Sequence, residues 1–219
     1  MTQLKPTAEY RGRVKYTVGT AKAYQKVDAR KHASEMGLID RAFALIPPGA
    51  SVLDAPCGGG RVALHLAERG FRVAAADLSD AMIAIAKETM RQHKITCSVE
   101  KQDVEGFSYS DRSFDAIVCF RLFHHFPNSV IRERVVKELC RVSGHFVVLS
   151  YFSPLSVTSV KRSIAKALGG KTPQKHATPL REISGYFAQQ GFRLVKNFAR
   201  SPILHTLHVA VFERAASNT

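Results

Sequence analysis

Val52-Leu53-Asp54-Ala55-Pro56-Cys57-Gly58-Gly59-Gly60-Arg61 is the stretch that decides the fold. A short apolar run ends in an acid, turns through three glycines and leads into an amphipathic segment. Glycine accepts φ > 0 and lets backbone approach a ligand with no Cβ in the way. The helix that follows opens with unpaired N–H groups. Strand, glycine turn and helix N-terminus together predict a nucleotide-type pocket.

Working outward, the same alternation recurs. Strands are expected at 51–55, 72–76, 96–101, 114–120 and 145–151, short and apolar as buried parallel strands are. Helices are expected at 32–46, 61–69, 80–92, 130–141 and 179–190, with Ser79 as an N-cap and Gly70 and Gly191 as stops. Residues 192–199 and 205–212, joined by a turn at Ser201-Pro202, suit an antiparallel pair. The order predicts an α/β fold with a doubly wound, mostly parallel seven-stranded sheet, closed by a C-terminal hairpin. Residues 1–46 read as a basic arm and helix forming a lid. Residues 47–219 read as the core, with a basic insertion at 153–178.

The chain of 219 residues carries a formal charge of +14, which favours acidic partners or serves solubility alone. No acid occurs between Glu138 and Glu182, a span holding Arg141, Lys161, Arg162, Lys166, Lys171, Lys175 and Arg181. Val160, Ile164 and Leu168 fall on one helical face there, with Lys161, Arg162 and Lys166 elsewhere. Such a helix closes a pocket or rests on an anionic membrane. The polar N-terminus has no apolar core of a secretory signal. Cys57, Cys97, Cys119 and Cys140 show no paired spacing and read as reduced thiols, without a metal site. The expected location is cytoplasmic, with peripheral contact at the inner membrane face as an option.

From Ser51 to Phe212 the pattern resembles the class I S-adenosylmethionine-dependent methyltransferases, in the branch that acts on small molecules or lipid-linked acceptors and carries a His-His loop. Four features match in order. The first is the glycine motif: the resemblance implies that Asp54 accepts from the cofactor's α-ammonium and that the backbone of Pro56, Cys57, Gly58 and Gly60 passes under its amino-acid part. Pro56 departs from the family's first glycine, fixing φ and removing a donor. The second is Asp77 at the end of the second strand, an acid implied to take both ribose hydroxyls, with Leu78 against the adenine. A carboxylate offers two oxygens to two such donors; an ordinary acid leading a helix is the alternative.

The third feature is Gln102-Asp103-Val104, whose acid and following N–H are implied to meet the adenine; Glu105 is close enough for the assignment to slip, and a solvated loop acid is the alternative. The fourth is Phe114 to Phe126, where Cys119 and Phe120 are implied to line the cofactor. Arg121 departs from the small or apolar residue common there and either faces an anionic substrate or pairs with a local acid. His124 and His125 are candidates for a general base or for backbone support, and, as neighbours, are expected to point apart. Tyr16 and Tyr24 of the arm are candidate substrate contacts.

The expected reaction is methyl transfer from S-adenosylmethionine to a small or lipid-linked, acidic acceptor. An in-line displacement from a sulfonium asks mainly for positioning and exclusion of water. Three readings compete. Positive charge admits nucleic acid and hence RNA methylation. Gly58-Gly59-Gly60-Arg61-Val62-Ala63 also satisfies the dinucleotide pattern of an NAD-dependent oxidoreductase. The third is a cofactor-binding protein without turnover.

Overall fold

The computed structural model describes residues 28–156, 175–199 and 206–216. Asp28 starts the first helix by accepting from the Arg30 N–H, so α1 (Ala29–Phe43) begins earlier than the apolar spacing alone indicates. The βα units follow as β1 (Ser51–Asp54), α2 (Arg61–Ala67), β2 (Arg72–Asp77), α3 (Asp80–Gln92), β3 (Ser98–Lys101), β4 (Phe114–Cys119), a 3₁₀ turn (Phe123–His125), α4 (Ser129–Val142), β5 (Ser143–Phe152), α5 (Leu180–Gln189), β6 (Phe192–Ala199) and β7 (Leu207–Arg214). Ser79 caps α3 through the Met82 N–H and Asn128 caps α4 through the Ile131 N–H.

All seven strands form one sheet in the order β3-β2-β1-β4-β5-β7-β6. β1 to β5 run parallel; β7 is antiparallel to both β5 and β6. The C-terminal pair therefore joins by its second strand, which is inserted between β5 and β6. Alternation along the strands divides the core. Val52, Val118, Val148 and Val211 pack under α1 and α2, while Leu53, Ile117, Leu149 and Phe212 pack under α4 and α5. A smaller cluster of Ala75, Ile83, Ala86, Met90 and Val99 seats α3.

Helix α1, expected as part of the N-terminal arm and helix, packs on the central sheet. Its Met36, Leu38, Ile39, Ala42 and Phe43 are buried against strand residues of the central sheet. It is a fixed layer of the core, because an apolar stripe of that width must be covered. The arm before residue 28, with Tyr16 and Tyr24, lies outside the described residues, as do residues 157–174 of the insertion and the Ser201-Pro202 turn.

Candidate active site

The parallel strands deliver their C-terminal ends to one edge. There the chain leaves β1 and is held at each step by backbone: the Ala55 N–H donates to Val118 O at 3.0 Å, Cys57 N–H to Ala76 O at 2.8 Å and Gly60 N–H to Cys57 O at 3.0 Å. The Ala55–Pro56 peptide is cis. Pro56 leaves the turn intact, since the donors that hold it belong to its neighbours. Gly58 and Gly60 sit at φ +54° and +83°, in the left-handed region that favours glycine. Gly60 is also the N-cap of α2.

Two buried carboxylates shape this loop. Asp54, fully buried, accepts the Ala63 N–H through Oδ2 at 3.0 Å and so ties β1 to the first turn of α2. Its Oδ1 has no hydrogen-bond partner. Burial raises its pKa to about 8, with the Asp77 charge adding to the rise. Asp77 takes the Gly58 N–H at 2.9 Å on Oδ2 and the Ser79 N–H at 2.9 Å on Oδ1. Burial also moves its pKa upward, against these backbone donors. Each Asp77 oxygen keeps lone-pair capacity for a further donor.

Leu78 follows on the half-exposed turn into α3. Asp103 accepts the Glu105 N–H at 3.0 Å and Val104 is nearly buried beside it. Asp103 is thus built into its own turn. Cys119 is fully buried at the end of β4 and Phe120 is buried next to it. Burial raises the thiols of Cys57 and Cys119, keeping both neutral. Among the described residues no group of three His, Cys, Asp or Glu side chains is arranged to hold a metal.

Arg121 takes the second of its two expected courses: its guanidinium pairs with Glu35 of α1. Glu35 went unnoticed in the sequence because it lies 86 residues away. The His-His reading needs a correction as well. The two rings do not diverge; their centroids are 4.2 Å apart. They share a 3₁₀ turn whose tightness was not legible from the sequence. Both are buried, and His124 stacks on Phe152 at 4.0 Å with the rings parallel within 1°. The Leu122 carbonyl accepts the His125 N–H, and the His124 carbonyl accepts the His176 N–H, tying this turn to the residues after the insertion.

Comparison with known proteins agrees with this geometry. Residues 52–144 match a family described as a methyltransferase domain. Over these residues the chain is similar to S-adenosylmethionine-dependent methyltransferases. The domain is 34% identical over 90 residues to a ubiquinone biosynthesis O-methyltransferase of Coxiella burnetii (strain Dugway 5J108-111), a match covering 41% of this chain and 37% of that one. It is 31% identical over 110 residues to the enzyme of the same name from Nitrosospira multiformis, covering 50% of this chain and 45% of the relative. The chain thus spans less than half the length of these curated relatives in the match. In fold, the chain superposes on the magnesium protoporphyrin IX methyltransferase of Synechocystis PCC 6803, solved with bound SAH, with a TM-score of 0.76 at 18% identity over 91% of this chain and 95% of that one.

The site residues fit the cofactor this domain type uses. Gly58, partly exposed, is the glycine whose backbone a ligand can approach, and the orphaned Asp54 Oδ1 is an acceptor in need of a donor such as an ammonium. Asp77 retains room for hydroxyl donors at the next strand end.

Proposed function

We propose that this chain transfers a methyl group from S-adenosylmethionine to a small-molecule acceptor bearing an acidic group or a lipid tail. One observation carries the cofactor reading: a fully buried Asp54 whose Oδ1 lacks a donor, at the end of the strand that leads into a left-handed glycine turn. Bound there, the cofactor supplies an electrophilic methyl on a sulfonium with a neutral leaving group. The chain's own work is to hold and to exclude. Asp54 and Asp77 place negative charge beside a cationic ligand. Phe120, buried at the end of β4, presents an apolar side chain that helps keep water from this edge.

Support for an acidic acceptor comes from charge placement. The net charge is +14, and the span without acids falls between Glu138 and Glu182, after the strand ends that hold the site. The curated relatives are named for ubiquinone biosynthesis, a lipid-linked context, and that supports the lipid alternative. No helix among the described residues is long and apolar enough to cross a membrane.

Calorimetry with S-adenosylhomocysteine and with NAD tests the cofactor. Heat with the first and none with the second is expected; the reverse overturns the reading. A transfer assay with labelled S-adenosylmethionine over neutral, carboxylated and prenylated phenols tests the acceptor. Replacing Lys161, Arg162 and Lys166 with Gln should leave S-adenosylhomocysteine affinity unchanged and raise the acceptor KM. Loss of cofactor affinity with an unaltered acceptor KM removes the proposed role of that segment.

A further inference from the structure

Glu35 is buried on α1, with its side chain 5% exposed, and a carboxylate at that depth needs compensation. Two guanidinium groups provide it. Arg61 Nη2 meets Oε2 at 2.8 Å, and Arg121 Nη1 meets Oε1. Arg61 is the first residue of α2, directly after Gly60 of the glycine turn. Arg121 leads out of β4, next to Phe120. One acid therefore joins the N-terminal helix to both loops that border the cofactor site. The cluster reaches further on α1: His32 Nδ1 lies 3.1 Å from Arg61 Nη1.

Arg121 is held at both ends. Its backbone sits at φ +60°, a left-handed conformation that is strained for a non-glycine residue. Its N–H donates to the buried Ser150 Oγ at 2.5 Å, and its tip is fixed by Glu35. Strain at the end of a central strand, maintained by two anchors, is the kind of backbone outlier that marks a functional position.

We propose that Glu35 is a positioning residue of the cofactor site: it pins Arg61 and Arg121, and through them the glycine turn and the β4 loop, so that cofactor affinity depends on a charge carried by the N-terminal helix. The proposal rests on the methyltransferase reading. Glu35 acts through its partners and lies on a different helix from every residue assigned to the cofactor above.

The test is S-adenosylhomocysteine binding by calorimetry on the full chain. Glu35→Gln keeps the side-chain size and removes the charge; it should weaken binding about tenfold, the scale of coupling within one ion-pair network. In an Arg121→Met background the same change should cost clearly less, because one of the partners it acts through is gone. A core variant of the same helix, Phe43→Leu, should lower the melting temperature with affinity unchanged, separating positioning from general stability. Wild-type affinity in Glu35→Gln, or an equal loss in both backgrounds, overturns the proposal. Should Glu35→Gln not fold, Arg121→Met alone decides: affinity within about twofold of wild type counts against the proposal, and a larger loss supports it. Absence of binding to the unmodified protein would instead refute the methyltransferase reading itself.

Discussion

Asp54 concentrates the chemistry of the site in one carboxyl. Its pKa rises from 3.8 to about 8, chiefly because burial disfavours the charged form. Between those values the unfolded chain releases this proton and the native state keeps it. The native state then binds more protons, so this residue's contribution to stability falls as pH rises from about 4 to 8 and is constant above. Asn mimics the protonated acid and carries no such dependence. Asp54→Asn should therefore gain on wild type in urea midpoint between pH 5 and pH 8; an unchanged difference would contradict the assignment. The same variant should bind S-adenosylhomocysteine at least tenfold more weakly, as expected for loss of a charge-assisted bond. A cation at Oδ1 draws the proton off. Binding near pH 7 should then release a proton, visible as a binding heat that varies with buffer ionisation enthalpy.

At the scale of elements, the glycine turn and α3 are fitted to each other. A Cβ on Gly60 would stand 3.1 Å from Met90 Cε and 3.3 Å from Ala86 Cβ, at φ +83°. Gly70 has the same φ with nothing within 4 Å. The pair separates backbone strain from crowding. Gly70→Ala should cost about 1 kcal/mol, and Gly60→Ala about 2–3 kcal/mol with impaired cofactor binding. Thermal melts of both variants check this; equal losses would show that α3 simply yields. The caps belong to the same scale. Ser79→Ala, which removes the acceptor for the Met82 N–H, should cost about 1 kcal/mol.

For the molecule as a whole, the decisive strand is the last. β7 pairs with β5 over seven residues from Phe152↔Leu207 to Phe146↔Glu213, and with β6 on its other side. Val209, Ala210, Val211 and Phe212 are fully buried, so both apolar cores continue through this strand. A chain ending at Ala199 would lose it, expose the β5 edge and leave β6 unpaired. Such an edge promotes association. A shift from the full chain's elution position to aggregate is the expected outcome of that truncation, measured by gel filtration; a folded species without aggregate would show that β1 to β5 suffice.

Much of this architecture was written locally. Periodicity, the glycine turn, Ser79 and the acids at 54, 77 and 103 depend on neighbours close in sequence, and they located the parallel strands and the helices between them. The resemblance drawn from those residues agrees with the methyltransferase domain matched over 52–144. What folding alone settled involves partners far apart in the chain. β7 lies between β5 and β6, where the backbone N–H and C=O groups of a strand buried on both faces find a partner along each edge. Helix α1 is seated on the sheet by Ile39 and Phe43, whose strand partners lie far along the chain. Arg121 turned to Glu35, and His124 stacked on Phe152 with His125 beside it, because a buried charge or ring takes whichever partner the tertiary packing brings within reach.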